Sequence, residues 1–567
     1  MEQEDYRAIV DALFERLEAD ARLPQPRFTS VVSALERKAL GVVLDRKATA
    51  DETTQTANAE NESPSLPSIP PSEPAPISVD LSCLDAPIGE EHVVCIDFGT
   101  AKSKAFAARV RAEGDDDEMY GGLELGLGKL DHDLDGAIYS VASSIWISDE
   151  GRMFAGSQAL TLSAQYTLAT GRERLDSIKQ QLSQTDHHDS LDHILDEAIN
   201  PTTVTLTHRD AICFFFAYLT DLIGQELESA HKLSRYTRRR FTIPAWPDAQ
   251  RSWSNAELRT LVARAQVLAD TFRGRWSEGI FVKDVKEAIR IASQHDSTLL
   301  RLLDPELINA EYGISEPMAA GSGRIRIDHS TRNLVLIVDV GAGTTDFGLF
   351  LVNYEKRTAF PVEPKSAAIR MAGDHIDNLL VEFIISKAAG HPDRLTRERI
   401  NLNLRRSGIR RDKERLFTTG RLDVTLATDQ PVTVTLEEFL ASPGVCGFAE
   451  HIESQLARFL GQVDSSFENA TDFPTMLLTG GGASIPFIQK LPAKRWRIGG
   501  REFSFRLAKQ VPDAIGEYDA GFQREYHQLA VAMGGAMQIM DEKSSLSRFA
   551  GGVIPIGPLT RYPVTGM

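Results

Sequence analysis

The chain has 567 residues and a formal net charge of −18, from 62 basic and 80 acidic side chains. This length predicts more than one domain, and the acidic balance argues against a generic binder of phosphate backbones, so we expect no nucleic-acid partner. The chain shows no secretion signal, no apolar run of the roughly 18 residues that a membrane helix needs, and no metal-type spacing among Cys83, Cys95, Cys213 and Cys446. We therefore expect a cytoplasmic protein without a membrane segment.

The first part of the chain divides into two segments of different composition. Apolar residues in 4–20 recur on one helical stripe, and a second amphipathic pattern follows. We predict a helical segment over 1–47 that docks on a protein partner; the alternative is an extension that only increases solubility. Residues 48–76 are polar and proline-rich, so burial cannot offset the entropy lost on ordering them. We predict a disordered linker over 48–90.

Strand and helix patterns alternate from residue 91 onward. Strand patterns cover 92–99, 104–110, the first half of 204–227, 238–245, 333–341, 347–353, the start of 432–440, and 475–482. Helical patterns cover the second half of 204–227, and 254–272, 375–388 and 448–463. This alternation predicts an α/β architecture.

Two of these segments repeat one pattern. Asp97 begins DFGTAKSKAFAARV and Asp339 begins DVGAGTTDFGLFLV. Both follow an apolar strand and continue as an Asp-x-Gly turn, small or hydroxyl-bearing residues, and a second strand. The repetition predicts an internal duplication. A pair of related domains facing each other would bring both turns to one ligand.

The composition of the turns indicates nucleotide chemistry. Turns of Gly, Ala and Thr allow backbone N–H groups to approach an anion closely, and a carboxylate at the strand end can hold a hydrated Mg²⁺ that bridges to phosphate. A third turn in LLTGGGASIP, residues 477–486, leaves room for a flat ligand to lie on the backbone. Together the three turns predict a nucleoside triphosphate site.

The three turns resemble those of the actin, sugar-kinase and heat-shock-chaperone ATPase superfamily, in which two phosphate hairpins and one adenosine turn surround ATP between two lobes. The segments that narrow the resemblance to the DnaK-type heat-shock chaperone branch are 241–251, 308–321, 372–384 and 530–538. The resemblance implies a two-lobed actin-like ATPase fold of duplicated ribonuclease H-like domains. We place lobe I at 91–322, lobe II at 323–540 and a C-terminal tail at 541–567.

The resemblance implies a role for each matching position. Asp97 and Asp339 match the aspartates that hold Mg²⁺ through water, and Asp346 and Glu316 match carboxylates near the attacking water. The positions implied to be catalytic are Lys179, Glu316, Asp346 and Asp339. The positions implied to bind ATP or ADP are Gly99, Thr100, Ala101, Lys104, Gly341, Gly343, Thr344, Thr345, Gly373, Lys413, Gly480, Gly481 and Gly482.

Two lysines match a cation for the transferred phosphoryl group. Lys179 corresponds to the catalytic lysine of the chaperones, and Lys104 corresponds to the lysine that actins use from the first hairpin; we favour Lys179. The chain departs from the chaperones at Ala101 and Lys102, which replace a threonine and an asparagine. It departs again at Ser484, which replaces an arginine that packs on the base.

The resemblance implies an ATP-binding and ATP-hydrolysing, Mg²⁺-dependent conformational switch that acts on a protein partner. A DnaK-type chaperone continues into a peptide-binding domain, whereas this sequence ends about 30 residues after 530–538. We therefore expect a chaperone-like protein without its own peptide-binding domain. The alternatives are an actin-like protein that polymerises by self-association, a small-molecule kinase, and a pseudo-ATPase that binds nucleotide without turnover.

Overall fold

The structure is a computed structural model. It describes residues 77–110, 122–133, 136–165, 171–183, 188–309, 313–327, 333–353, 358–388, 392–467, 474–498, 500–509 and 511–537. Residue contacts divide the chain into units at 1–75 and 76–567, and all described residues belong to the second unit. The helical segment predicted over 1–47 and the tail at 541–567 lie outside the described residues. The protein is a mixed α/β structure with several sheets.

The part of the chain before residue 328 supplies ten strands and nine α-helices to the described structure. The strands are β1 (Gly89–Asp97), β2 (Lys102–Arg109), β3 (Gly122–Glu124), β4 (Ser140–Ala142), β5 (Ser144–Ile147), β6 (Arg152–Ala155), β7 (Leu175–Asp176), β8 (Thr237–Ile243), β9 (Ile280–Phe281) and β10 (Ile314–Ser315). The helices are α1 (Leu127–Asp131), α2 (Gly156–Ser163), α3 (Gln180–Ser183), α4 (His208–Ser229), α5 (Asp248–Thr271), α6 (Val282–Ala292), α7 (Asp296–Leu299), α8 (Pro305–Asn309) and α9 (Glu316–Ile327).

The part of the chain after residue 332 supplies the remaining described elements. The strands are β11 (Asn333–Val340), β12 (Thr345–Asn353), β13 (Thr358–Ile369), β14 (Arg421–Thr425), β15 (Pro431–Thr435), β16 (Thr475–Thr479), β17 (Trp496–Ile498), β18 (Arg501–Phe503) and β19 (Arg506–Leu507). The helices are α10 (Gly373–Ser386), α11 (Arg394–Ser407), α12 (Ile409–Thr419), α13 (Leu436–Leu440), α14 (Pro443–Gln462), α15 (Pro486–Gln489) and α16 (Ala520–Met537).

Two larger sheets repeat the same order of strands. In the first sheet the order is β10-β8-β1-β2-β3, with β4 also paired to β2, and in the second it is β13-β12-β11-β16-β19. Each sheet begins with an antiparallel meander, β1 to β3 or β11 to β13. In each, the first strand then pairs in parallel with a later one, β8 or β16, which pairs in parallel with the last. The two halves thus share both strand order and pairing direction.

Two large apolar clusters pack against the sheets, and the first of them also includes Val335 and Ile337 of β11. Val94 and Ile96 of β1 belong to a large cluster with α4 and α5, whereas Leu336 and Val338 of β11 belong to a second cluster with α10 and α14. Cys95, the residue between Val94 and Ile96, packs instead with aromatic residues of α16. This alternation follows from the period of two in a strand, which presents successive side chains to opposite faces.

Helices α9 and α16 cross at close range between the two sheets. A Cβ atom at Gly323 of α9 would lie 2.7 Å from the Cα atom of Gly534 in α16. Only glycine at both positions allows the two backbones to come this close. Helix α9 also runs without a break through residue 322, where the sequence predicted the boundary between lobes.

Residues 77–90 correct the predicted linker. Cys83 is fully buried within a short 3₁₀ helix, Ser82–Leu84, and the backbone N–H of Asp80 donates to Thr271 Oγ1 at 3.0 Å. Apolar side chains that follow the proline-rich stretch pack against the first core, including Val79 and Leu84. The prediction of disorder is therefore wrong for this part of 48–90, because these side chains have apolar surface to bury.

The strand predicted for the first half of 204–227 does not form. Thr207 makes only an isolated bridge to Ile194, and its side chain accepts a hydrogen bond from the backbone of Asp210 to cap α4. The local capping interaction competes with extended pairing, as is typical of threonine before a helix. Among the described residues, no helix combines the length and apolar character needed to cross a lipid bilayer.

Candidate functional site

The two Asp-x-Gly hairpins have the same register. Asp97 of β1 pairs with Lys104 of β2, and Asp339 of β11 pairs with Asp346 of β12. Each turn therefore follows the carboxyl end of the central strand of its sheet. The parallel strands beside them end at the same edges, which is where ligands bind in open α/β sheets.

The turns of the two hairpins contact each other. A Cβ atom at Gly343 would lie 2.7 Å from Thr100 Oγ1, so glycine is what permits the approach. Within the described residues, the backbone N–H groups of Ala342 and Gly343 donate to no backbone carbonyl. Unused amide donors on adjacent residues of a turn are suited to binding an anion such as phosphate.

The glycine turn after β16 packs directly on the second hairpin. The backbone N–H of Gly482 donates to the carbonyl of Val340 at 2.8 Å. Gly480 has a φ of +82°, and a Cβ atom there would overlap Asp339 Oδ1. The N–H of Gly480 also donates to the carbonyl of His527 in α16, at 3.0 Å. The turn is thus held between Asp339 and the last described helix.

The three turns line one cavity of about 370 Å³. All the predicted site residues border it except Thr345 and Asp346. The predicted residues that line it are Asp97, Gly99, Thr100, Ala101, Lys104, Lys179, Glu316, Asp339, Gly341, Gly343, Thr344, Gly373, Lys413, Gly480, Gly481 and Gly482. Lys102 and Ser484, the positions of departure from the chaperone pattern, line it as well.

Both candidate lysines reach this cavity. Lys104 Nζ lies 3.0 Å from Asp97 Oδ2, and Lys179, in the loop between β7 and α3, forms a buried ion pair with Glu316 at the start of α9. Burial by itself would lower the pKa of Lys179, but attraction to Glu316 and Asp97 outweighs it and raises the pKa. Lys179 therefore remains positively charged at neutral pH.

Carboxyl groups crowd together beside the lysines. Burial, assisted by Asp346 and Asp97 and opposed by Lys179, raises the pKa of Glu316 to about 7. Burial, followed by repulsion from Glu316, Asp346 and Asp97, raises the pKa of Asp339 well above its usual value. Buried oxygen ligands with this excess of negative charge are suited to a hard cation.

Thr345 and Asp346 are predicted site residues that do not line the cavity and bond to other parts of the chain instead. Thr345 Oγ1 donates to the carbonyl of Met371 at 2.8 Å, and Asp346 Oδ1 accepts from the backbone N–H of Ala245 at 2.8 Å. Successive side chains of β12 point to opposite faces, so Thr345 leaves the face that carries its neighbour Thr344. Asp346 is buried beside the cavity and joins the second hairpin to the chain after β8.

One face of α12 forms another wall. Arg410, Lys413, Glu414, Phe417 and Thr418 all line the cavity, and their spacing places them on one side of the helix. Of these five residues, Lys413 belongs to the predicted site residues. The helical spacing of these residues is visible in the sequence. It does not form an apolar stripe, because charged residues surround Phe417, and for that reason it does not indicate a site.

Helix α16 contributes residues that were not among the predicted site residues. His527, Gln528 and Val531 line the cavity, together with Ile376 of α10. Burial, and then the charge of Lys104, lowers the pKa of His527, so its imidazole is neutral at pH 7. His527 and Gln528 reach the site because α16 crosses the sheets, and the local sequence around these two residues does not indicate it.

A polar cluster ties the Lys179 loop to the second half of the chain. Asp374 Oδ2 accepts from Ser177 Oγ at 3.1 Å and from Gln180 Nε2 at 2.9 Å. Asp374 Oδ1 accepts from Arg410 Nη2 at 2.9 Å. Because Lys179 lies between the two tethered residues, this cluster fixes its loop to α10 and α12.

In the described parts of the chain, no three or more His, Cys, Asp or Glu side chains are arranged to bind a metal ion directly. No protein-family model matches the chain. Interpretation of the cavity therefore depends on its own residues.

Proposed function

We propose that residues 91–540 adopt the two-lobed actin-like ATPase fold, with lobes at 91–322 and 323–540 built from duplicated ribonuclease H-like domains. The support is the repeated strand order and pairing direction of the two large sheets. The matching register at Asp97 and Asp339 adds to it, because a duplicated domain would repeat its hairpin as well as its sheet.

Within that fold, we propose an Mg²⁺-dependent ATPase related to the DnaK-type heat-shock chaperones. A single observation carries the proposal: two hairpin turns, one triple-glycine turn and two lysines border the same cavity. Its volume of about 370 Å³ lies in the range of roughly 300–1,000 Å³ that is common for small-molecule sites. The glycine turns supply backbone donors for phosphates, and the lysines supply charge.

The donor set also fits Mg²⁺. Asp97 and Asp339 would hold the ion through water, which suits its preference for oxygen ligands and retained hydration. Burial, and then repulsion from neighbouring carboxylates, raise the pKa of Asp339, and a bound cation would relieve that repulsion. When bound, the ion would supply charge neutralisation to the phosphates of the nucleotide.

The chain's own residues would bind, orient and move a proton. Lys104 and Lys179 would place positive charge on the phosphoryl oxygens. Glu316, with a pKa of about 7, would orient a water molecule and accept its proton. Asp346 would act as a positioning residue, because its hydrogen bond to Ala245 holds the second hairpin against the first half of the chain.

The same contacts suggest how hydrolysis would couple to motion. Phosphates bound by both turns would hold the two hairpins together, and their loss would release one turn from the other. We propose that a protein partner reads this difference in the cytoplasm, with residues 1–47 as the docking segment. The activity would be that of a chaperone-like conformational switch.

The test measures Mg²⁺-dependent ATP binding and hydrolysis by the full chain beside Asp339→Ala and Lys179→Ala. We expect each substitution to reduce hydrolysis by about 100-fold or more, as is typical when a preorganised charge is removed from a site. Lys387→Ala is the matched control, since Lys387 pairs with Glu438 away from the cavity. Absence of Mg²⁺-dependent ATP binding by the unsubstituted protein would refute the proposal.

A second candidate is a pseudo-ATPase that binds ATP without hydrolysing it. The observation that favours it is the ion pair between Lys104 and Asp97, which engages one of the two proposed metal carboxylates. This candidate predicts that the unsubstituted protein binds ATP but releases no measurable phosphate. It also predicts that Lys179→Ala leaves phosphate release at the same background level.

A further inference from the structure

The end of the cavity formed by α12 contains an aromatic ring in a position to hold a base. Phe417 lines the cavity, while Ser484 of the glycine turn has no flat surface on which a base can stack. The ring of Phe417 is half-buried and packs edge-to-face on Phe439, with ring centroids 6.5 Å apart and an interplanar angle of 89°. This contact anchors the ring against the second core and leaves another side of it at the cavity.

Hydrogen bonds fix the position of this ring relative to the phosphate turns. Lys413 Nζ donates to the carbonyl of Gly373 at 3.1 Å, and the N–H of Gly373 donates to the carbonyl of Gly341 at 3.1 Å. Lys413 is therefore next to the second phosphate turn. Phe417 follows one helical turn later, about 6 Å further along the axis of α12. The order along the wall is phosphate turn, lysine and aromatic ring.

Two acceptors lie beside Phe417 on the same helix. Glu414 is exposed on the same face of α12, and its carboxylate forms no ion pair with any described residue. Thr418 Oγ1 donates its proton to the backbone carbonyl of Glu414 at 2.7 Å, so only its lone pairs remain for a ligand. A ligand that reaches this wall is recognised best if it carries N–H donors beside a flat ring.

We propose that Phe417 is the stacking surface for the nucleobase and that Glu414 accepts a hydrogen bond from the exocyclic amino group of that base. The cavity would then select purine nucleotides that carry an amino group, adenine or guanine, over hypoxanthine, which has none. This inference rests on the proposed function, because it assumes that the phosphates of the same ligand occupy the glycine turns. Phe417 and Glu414 are specificity-determining residues for that nucleotide.

The first test compares four probes by calorimetry on the full chain in the presence of Mg²⁺: ATP, GTP, ITP and inorganic tripolyphosphate. We expect ATP or GTP to bind about tenfold or more tightly than ITP, the effect of one hydrogen bond to a charged acceptor. Comparison of ATP with GTP identifies which amino group is used. Tripolyphosphate reports on the phosphate turns without any base.

The second test uses two substitutions at Phe417 and Glu414. Phe417→Leu keeps an apolar side chain on the core but removes the aromatic face. It should weaken the binding of ATP and GTP by about 5- to 150-fold. Phe383→Leu is the matched control, because Phe383 also packs on Phe439, with centroids 5.6 Å apart, but does not line the cavity. Glu414→Ala should bring the affinity for ATP or GTP down to that for ITP.

Tripolyphosphate binding separates the possible failures. If the unsubstituted protein binds neither tripolyphosphate nor any nucleotide, the proposed function fails and the inference falls with it. If nucleotides bind and Phe417→Leu has the same affinity for ATP and GTP as Phe383→Leu, the stacking assignment is overturned while the proposed function stands. If ITP binds as tightly as ATP and GTP, the assignment of Glu414 is overturned in the same way.

Discussion

The buried pair of Lys179 and Glu316 predicts that the stability of the protein depends on pH. The pKa of Glu316 rises from 4.5 to about 7 on folding, mainly through burial. Between these two values the folded state keeps a proton that the unfolded state has released, so stability falls as the pH rises through this window. A difference of about 2.5 pKa units corresponds to about 3 kcal/mol, lost between pH 4.5 and pH 7.

The substitution Glu316→Gln removes this titration while keeping the size of the side chain. Lys179 should remain charged in the variant, because Asp97 and Asp346 also raise its pKa. We therefore expect the variant to gain about 3 kcal/mol relative to the unsubstituted protein as the pH rises from 4.5 to 7.5. At pH 4.5 the two proteins should have about the same stability, because Glu316 is then protonated in the folded state and glutamine resembles the neutral acid.

The assay is urea denaturation at several pH values, followed by circular dichroism. Glu414→Gln is the control, because Glu414 also lines the cavity but is exposed and unpaired among the described residues. Burial, and then repulsion from Glu316, also raise the pKa of Asp339, which contributes a slope of the same sign. The difference between variants therefore contains the titration of Glu316 together with the loss of its repulsion on Asp339. The same pH dependence in Glu316→Gln and the unsubstituted protein would refute the reasoning.

Two further predictions concern contacts across the cavity. Gly343→Ala brings a Cβ atom to 2.7 Å from Thr100 Oγ1, so the two turns must separate, and ATP affinity measured by calorimetry should fall by about tenfold. Gly447→Ala, which meets no atom within 4 Å, is its control, and equal affinities would contradict the prediction. Asp374→Ala removes charged hydrogen bonds to Ser177 and to α12, each worth about 1.5–3 kcal/mol, so a fluorescent nucleotide should dissociate at least tenfold faster in stopped-flow measurements. An unchanged dissociation rate would show that the Lys179 loop holds its position without Asp374.

The hairpins illustrate how much of the site was predictable from sequence. Two contiguous motifs of about ten residues contain Asp97, Asp339 and the glycines beside them, and each motif predicts a ligand-binding turn. The structure brings both motifs to one cavity. Thr345 and Asp346 belong to the same motif yet do not line it, because strand geometry turns one away and buries the other. A motif indicates which residues are near a site but does not indicate which side chains face it.

Lys104 and Lys179 show a second limit of predicting the site from the sequence. The sequence presented Lys104 and Lys179 as alternatives, because each matched a different branch of one superfamily. The structure places both at the cavity, each paired with its own carboxylate. The two residues are distant in sequence, so only the packing of the Lys179 loop against α9 and α10 could decide whether one or both would reach it.

The sequence by itself determined the α/β alternation, the repeated Asp-x-Gly hairpin and the glycine turn, since each depends on periodicity or on short-range backbone geometry. Tertiary structure alone decided that His527 of α16 and Phe417 of α12 reach the same cavity. Those two side chains come from helices that are adjacent only after both sheets have formed. Their approach is set by packing between distant segments, such as the glycine crossing of α9 with α16, and no local pattern encodes it.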